Sequence, residues 1–509
     1  MELVMIYSVD KMLKEGAAFP PRSEIARLNA YKLNSMLLDD ESWNALPAYK
    51  QRVNNVLMNF SVPANYLYYY SANQWGDLVE KLQELTYGEP PEISLANSSN
   101  NAKLIASEIL SKTKFFDVAD EGSQDFFALG DWVTKLVQTK AGMSYINISP
   151  AIWFPVVAKD NVKEIRSHVL AWIVDIDDKR KELRAQIHER GYFTNRAFMV
   201  KNYAESASLV LPDTQQICEH YTCEIGKELS ANVRGKELNK DFPLGRFPNG
   251  LNANEFAIIH SANNPKTRTI YGTSDFENIT SPAMEYNVRM TLKNAVLDKH
   301  SAPKMYGPPV EQKDDSGNPI VGNYIELLSY DSTSPAYLTW DANMQAVENT
   351  IAQGKEDVSN LSGLGTLLHS ETFGESQGYD ALMIKLAPAL MKSTRKKRVL
   401  EAHLKKAFSL LSPSYGGKIE EEEITITWHD GVPATESVRA DIARKHLETG
   451  WSVKRVLMQD YGLTEEEAEE EIEQKRSETP QMPVFGVFDE TTDNEPTEEE
   501  NADKGGDNA

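Results

Sequence analysis

Residues 282–299 read PAMEYNVRMTLKNAVLDK, and residues 344–361 read MQAVENTIAQGKEDVSNL. The first stretch opens on a proline suited to the first turn of a helix. The second repeats apolar residues at intervals of three, four and seven, interrupted by Gly354. Between them, residues 301–337 contain five prolines and a turn at 314–318, and residues 324–328 form the only clear strand. The sequence therefore predicts two helices that enclose a compact insertion of strands and turns.

Downstream of this pair, a glycine-containing segment at 362–378 precedes a long helical pattern at 379–411. Pro388 lies inside that pattern and should kink the helix, because a proline in a helix interior costs about 3 kcal/mol. A strand at 424–428 follows, and then three short helical patterns at 434–449, 453–459 and 465–475. Residues 479–509 are rich in Pro, Asp, Glu and Asn, which predicts disorder.

Upstream, the first 112 residues predict amphipathic helices broken by polar turns. Short β-rich runs at 133–137, 145–148 and 152–157 predict a meander. Residues 168–176 and 179–189 are compatible with either strand or helix. Residues 242–254 predict a loop and residues 256–259 a short strand. The whole pattern indicates an α+β protein.

Charge is distributed unevenly along the 509 residues, whose formal net charge is -23. From Thr464 onward there are 17 acidic and 3 basic residues, so 14 of the 23 net negative charges lie in the last 46 positions. No apolar window is long enough to span a membrane, and no secretion signal is recognisable. With two cysteines, Cys218 and Cys223, the chain is expected to be reduced and cytosolic.

Motifs that carry chemistry are not found in the sequence. No phosphate-binding G-x-x-x-x-G-K-[ST], no G-x-S-x-G and no H-E-x-x-H occurs, and Cys218, His220 and Cys223 do not complete a metal-ligand pattern. We therefore predict a protein without catalytic residues, metal or cofactor. An enzyme whose carboxylate site follows no known motif stays open as an alternative.

A basic stripe interrupts the long helix. It consists of Lys392, Arg395, Lys396, Lys397 and Arg398. One interpretation is a solvated face paired with neighbouring carboxylates. The other is contact with phosphate, which lysine and arginine bind without base specificity.

Several stretches, in their order and spacing, resemble the portal family of tailed bacteriophages, especially the long-tailed type. Residues 271–279 (YGTSDFENI), followed by Pro282 and YNVR at 286–289, are similar to a family motif that leads into a helix. LDKHSAPKM at 297–305 resembles the end of that helix. ITWHDGVPA at 426–434 and ETGWS at 448–452 resemble the strand, turn and short helices that follow the long helix. The resemblance covers roughly residues 120–478.

The resemblance implies a portal fold with a wing, stem, clip, tunnel loop and crown. The N-terminal helical region and wing would occupy residues 1–280, the stem helices 281–300 and 340–361, and the clip 301–339. The tunnel loop would be 362–378, the long kinked helix and a wing strand 379–432, the crown 433–478, and the disordered acidic tail 479–509.

The resemblance also implies a non-enzymatic ring, commonly of twelve subunits, at one capsid vertex of the virion. It would assemble in the bacterial cytoplasm. Its partners would be the terminase large subunit, the major capsid and scaffolding proteins, head-tail adaptor proteins and double-stranded DNA bound without sequence specificity. The alternative within the same class is another head or tail structural protein.

Site residues follow as hypotheses from this resemblance. The tunnel loop would present Thr366, Leu367, His369 and Phe373 to DNA. Terminase or connector contacts would involve the clip residues Tyr306, Tyr324, Glu326 and Asp331. The basic stripe would contact phosphate or bridge neighbouring subunits.

Overall fold

The computed structural model describes residues 5–59, 68–96, 99–140, 142–210, 217–301, 305–307, 324–326, 336–337, 344–369, 379–429, 436–463 and 465–478. The chain divides into two compact units, Met1–Val432 and Pro433–Ala509. Both helices and sheets are present, as the α+β prediction requires. The predicted disordered tail lies outside the described residues.

Helices dominate the beginning and end of the first unit. They are α1 (Val9–Met12), α2 (Ile25–Leu38), α3 (Ser42–Ala45), α4 (Pro47–Asn59), α5 (Gln74–Tyr87), α6 (Asn100–Thr113), α7 (Phe115–Ala128), α8 (Ala231–Arg234), α9 (Lys236–Asp241), α10 (Thr280–Ser301), α11 (Met344–Ser362) and α12 (Tyr379–Leu411). In α5, the Asn73 side chain caps the helix by accepting from the Gly76 amide, and the periodic residues Trp75, Leu78 and Leu82 are buried.

Strands fill the middle of the unit. They are β1 (Ala18–Phe19), β2 (Glu92–Leu95), β3 (Asp131–Thr139), β4 (Gly142–Ile148), β5 (Trp153–Val157), β6 (Ile165–Asp177), β7 (Arg180–Glu189), β8 (Tyr192–Val210), β9 (Ile217–Glu228), β10 (Gly245–Pro248), β11 (Ile258–Ala262), β12 (Met305–Gly307), β13 (Tyr324–Glu326), β14 (Ala336–Tyr337) and β15 (Ile424–Thr427). The structure thus resolves the ambiguous stretches at 168–176 and 179–189 as two paired strands.

The largest sheet has the strand order β1-β9-β8-β7-β6-β5, with β10 paired to β8. A second sheet contains β11, β3 and β4. The strands β15 and β2, which lie near opposite ends of the unit in sequence, pair with each other. The predicted meander is therefore wrong in one respect, because β5 leaves β3 and β4 to join β6 in the large sheet. The cause is local: Pro150 begins a short 3₁₀ turn, capped by the Ser149 hydroxyl, that redirects the chain. The predicted loop at 242–254 likewise contains the short strand β10.

The two predicted helices around the insertion are confirmed as α10, of 22 residues, and α11, of 19 residues. They lie side by side, and Lys293 Nζ of α10 is 3.4 Å from Glu348 Oε1 of α11. The prediction of one clear strand in the insertion is wrong, because β12 pairs with both β13 and β14. Only these three strands of the insertion belong to the described residues. The strands are only two or three residues long, too short for a recognisable alternation.

The long predicted helix is confirmed as the 33-residue α12, which runs through Pro388. Its inner face carries Leu400, Leu404 and Phe408, all fully buried. The main core joins these residues to α5, α7 and the first half of α10. Consequently α12 is anchored in the core, and β15, which follows it in the same unit, pairs with β2.

The second unit contains α13 (Glu436–Glu448), α14 (Val453–Asp460) and α15 (Glu465–Glu478). The Ser452 side chain caps α14 by accepting from the Arg455 amide. Trp451 stacks on His446 with ring centroids 4.1 Å apart, and the guanidinium of Arg455 lies 4.1 Å from the Trp451 ring. This stack fixes the turn between α13 and α14.

Candidate functional site

The basic stripe of α12 is split between the two faces of the helix. Arg395 and Arg398 are exposed, whereas Lys396 and Lys397 are only 3% and 7% exposed. Because a helix has 3.6 residues per turn, positions 395 and 396 point in directions about 100° apart. The expectation of one continuous phosphate-binding stripe is therefore wrong for Lys396 and Lys397, which face the protein interior.

Asp275 is the buried partner of two of these lysines. Lys396 Nζ lies 2.9 Å from both carboxylate oxygens, and Lys392 Nζ lies 3.0 Å from Oδ1. Asn263 Nδ2 donates to Oδ2 at 2.8 Å, and Asn263 Oδ1 accepts from Lys396. The cluster ties α12 to the segment between β11 and α10 and compensates two cations with one carboxylate.

Burial determines how this cluster titrates. Desolvation acts to raise the pKa of Asp275, but attraction to Lys392 and Lys396 outweighs it, so the pKa lies below the usual value. For Lys396, burial lowers the pKa to about 8, although Asp275 acts in the opposite direction. The cluster is thus charged at neutral pH, and its lysine approaches neutrality at mildly alkaline pH.

Lys392 and Lys397 also donate hydrogen bonds to backbone carbonyls outside α12. Lys392 Nζ donates to the Ser362 carbonyl at 2.6 Å, at the end of α11. Lys397 Nζ donates to the His429 carbonyl at 2.7 Å, just after β15. Both lysines therefore fasten neighbouring parts of the chain to α12.

The predicted tunnel loop begins inside the protein. Leu364 and Leu368 belong to the main core, and Leu367 packs partly against it. Leu367 is therefore turned toward the core rather than presented to DNA in the single chain. The backbones of Thr366 and His369 lie in a 3₁₀ turn, and Phe373 falls outside the described residues.

The predicted contact residues of the insertion are partly brought together. Tyr306 lies in β12 opposite Ile325, and residues 324 and 326 flank that position in β13. Tyr306, Tyr324 and Glu326 consequently share one small sheet. Asp331 falls outside the described residues.

An apolar face of α12 points to solvent. Ile384 is 75% exposed and Met391 is 74% exposed, and Pro388 between them is also exposed. Their spacing of four and three residues places them on one side of the helix, in line with Arg395 and Arg398. Reasoning from the sequence assigned no role to Ile384 or Met391.

A half-open cavity of about 720 Å³ lies beneath α2, bounded by the start of α4 and the segment before α10. Its apolar lining includes Leu33, Leu46 and Leu129. Its aromatic lining consists of Tyr31, Tyr49 and Tyr271. This is the size of pocket that commonly holds a small ligand or several side chains.

Asp131 and Arg27, two charged residues of the cavity wall, each have three polar partners. Asp131 accepts from the Gly272 amide at 2.9 Å and the Tyr31 hydroxyl at 2.5 Å, and its Oδ1 lies 2.6 Å from His260 Nε2. Arg27 bonds to Glu24 and two backbone carbonyls. Burial and the neighbouring Asp131 hold the pKa of Tyr31 well above its usual value, so the phenol donates. The sequence gives no sign of this network, since its members come from four distant segments.

Comparison with known proteins returned no match, either to a protein-family model or to a curated protein. Within the described ranges, no helix is long and apolar enough to cross a bilayer. In the same part of the chain, no group of three or more His, Cys, Asp or Glu side chains is arranged to hold a metal ion.

Proposed function

We propose that this chain is the portal subunit of a tailed bacteriophage, a ring component through which the genome enters and leaves the capsid. The observation that carries the proposal is the pair α10 and α11, which lie side by side and enclose a small β insertion. The 3₁₀ turn at 365–369 and the long helix α12 follow α11 in sequence and pack in the same main core as α10 and α11. This order of elements is the one that the portal resemblance implies.

The burial of the paired helices supports a role as stem. In α10 the buried residues Ala283, Met284 and Val288 lie in the first half, and in α11 Val358 lies near the end. Toward the insertion, Leu297 and Val347 are 46% and 38% exposed. In the proposed ring, neighbouring subunits would cover these two side chains.

Charge supports a conduit that does not grip DNA. Of the net charge of -23, the last 46 residues carry -14 and the other 463 residues -9, and phosphate is repelled from surfaces of that sign. In the proposed ring, the exposed Arg395 and Arg398 supply only local, sequence-independent attraction. The terminase large subunit and the head-tail adaptor proteins would dock on the insertion, and the capsid and scaffolding proteins would surround the wing.

The proposal is tested by negative-stain microscopy of the purified full chain and of two matched variants. We expect the wild type to form rings with a central hole. Leu297→Glu should abolish them, because it places a charge on the distal stem, whereas Leu104→Glu should not, because Leu104 is 66% exposed on α6, away from the stem. Wild-type particles without a central hole, or rings in Leu297→Glu at the wild-type yield, would overturn the proposal.

A further inference from the structure

The cavity beneath α2 has walls that the fold itself holds in place. The Tyr271 hydroxyl donates to Glu24 Oε2 at 2.7 Å, and the Tyr31 hydroxyl donates to Asp131 at 2.5 Å. The Gly272 amide donates to the same Asp131 at 2.9 Å. These bonds join α2 to β3 and to the segment before α10. The volume of about 720 Å³ is therefore preformed, and an occupant can bind with little reordering of the walls.

The interior of the cavity is apolar and aromatic. Leu33, Leu46 and Leu129 line it and are each at most 8% exposed. The rings of Tyr31 and Tyr271 line it as well. Burial holds the pKa of both phenols well above the ordinary value, so both stay uncharged. An occupant that covers these side chains gains from the apolar area it buries, and an aromatic occupant also gains from ring packing on the tyrosines.

The charged side chains of the lining cancel. Two cations, Arg27 and Lys266, stand against two carboxylates, Asp131 and Glu277. Lys266 Nζ lies 3.3 Å from Glu277 Oε1, and Asp131 and Arg27 each have three polar partners. A charged occupant would lose its hydration without meeting an unpaired counter-charge. The lining therefore favours an uncharged molecule.

Two polar side chains of the lining can receive a polar group of the occupant. They are Asn34, on α2, and Thr273, in the segment before α10, and both are half-buried. Within the described residues, neither side chain makes a hydrogen bond. An amide offers both donors and an acceptor, and so does a hydroxyl. A few such groups in an apolar cavity are what commonly fixes the orientation of a bound small molecule.

We infer that the cavity beneath α2 is a binding site for an uncharged aromatic molecule. Its rings pack against Tyr31 and Tyr271, and its polar edge meets Asn34 and Thr273. The neutrality of the occupant follows from the balanced charges of the lining, and its aromatic character follows from the tyrosine and leucine side chains. The inference goes beyond the proposed function and does not rest on it, because every residue of the site belongs to a single chain.

The first test titrates the full chain with two fluorescent probes that share one aromatic scaffold. N-phenyl-1-naphthylamine is uncharged, whereas 8-anilinonaphthalene-1-sulfonate carries a sulfonate on the same rings. The uncharged probe should saturate at one site per chain. The sulfonate should bind that site more weakly by about tenfold or more, because its charge finds no free partner there. Equal affinities, or an uncharged probe that does not saturate, would overturn the inference.

The second test locates the probe with two matched tryptophan substitutions. Ala30, on α2, lines the cavity, whereas Ala102, on α6, lies outside its lining, and both are half-buried. Ala30→Trp should fill the cavity and weaken the uncharged probe by about tenfold or more, and Ala102→Trp should leave the Kd within about twofold of the wild type. Equal Kd values for the two folded variants would place the probe elsewhere and overturn the inference.

A third variant tests the charge balance without filling the cavity. The Glu277 side chain is 57% exposed, so Glu277→Gln should leave the fold intact, but it gives the lining one net positive charge. The sulfonate should then gain about two- to fivefold in affinity relative to the uncharged probe. An unchanged ratio of the two Kd values would overturn the assignment of an uncharged occupant, whatever the folding of Ala30→Trp.

Discussion

Replacing Asp275 by asparagine should be among the most destabilising single changes in the first unit. Asparagine keeps the shape of the side chain but removes the negative charge that faces Lys392 and Lys396. It also turns one acceptor into a donor, opposite Asn263 Nδ2 and Lys396 Nζ. Two lysine ammonium groups, 18% and 3% exposed, would then share a buried site without a carboxylate.

The magnitude follows from the burial of the pair. Removing one partner of a buried ion pair costs about 3–5 kcal/mol, because the remaining charge is left uncompensated. Lys396 can lose its proton and become neutral, since burial already lowers its pKa to about 8 and the loss of Asp275 lowers it further. Because a proton can leave, we expect the lower end of this range, about 3 kcal/mol, at pH 7.

The assay is equilibrium denaturation by urea, followed by tryptophan fluorescence, with Glu277→Gln as the matched control. Glu277 lies two residues away, and its ion pair with Lys266 is more than half exposed on both sides. Exposed pairs of this kind contribute about 0–1 kcal/mol. If Asp275→Asn costs no more than Glu277→Gln, or if adding Lys396→Met recovers none of the lost stability, the buried-charge argument is refuted.

Three further outcomes are expected. The pKa of Lys396 is lower in the folded state than the ordinary value of 10.5, so the unfolded chain binds more protons between pH 8 and pH 10.5. As the pH rises through that window, the free energy of unfolding of the wild type should therefore increase by on the order of 3 kcal/mol relative to that of Lys396→Met. Urea denaturation measures this difference, and a difference that does not change with pH would contradict the assigned pKa. Gly272→Ala should destabilise the protein, because the new Cβ would lie 2.6 Å from the Asn263 backbone. Gly354→Ala, which adds its methyl group in open space on α11, should stabilise the protein by about 1 kcal/mol. If thermal unfolding ranks the two variants the other way, the packing around these glycines is contradicted. Trp451→Ala should destabilise the second unit by about 2 kcal/mol, because it removes the stack with His446 and Arg455. The loss should appear as faster amide exchange in α13 and α14, and unchanged exchange there would show that the stack is dispensable.

Elements with strong local signals could be predicted from the sequence. The helices α11 and α12 carry apolar periodicity, and α10 has a proline in its first turn. The predicted bounds of α10 and α12 agree with the structure within two residues, whereas α11 begins at Met344 rather than at 340. The strand runs that became β3, β4 and β5 were also recognisable. Local patterns do not encode the partner of a strand, so the transfer of β5 to the large sheet was not predictable.

The candidate site was less accessible to sequence reasoning, because its contacts are distant along the chain. Lys396 reads as one member of a cationic run, and only its partner Asp275, 121 positions away, explains why it is buried. The cavity beneath α2 combines residues from α2, β3 and the segment before α10. Neither grouping has a spacing that a motif could capture. The exposed face of α12, by contrast, could have been found by separating Ile384 and Met391 from the residues of the opposite face.

Particle mass in solution tests the central claim most directly. We would measure it by mass photometry and light scattering on the purified full chain, at concentrations on either side of the assembly midpoint. The portal proposal predicts a closed ring with a mass near twelve times that of the 57.2 kDa subunit. It predicts no open polymer whose mass keeps rising with protein concentration. A protein that remains a single chain or a dimer at every concentration would contradict it.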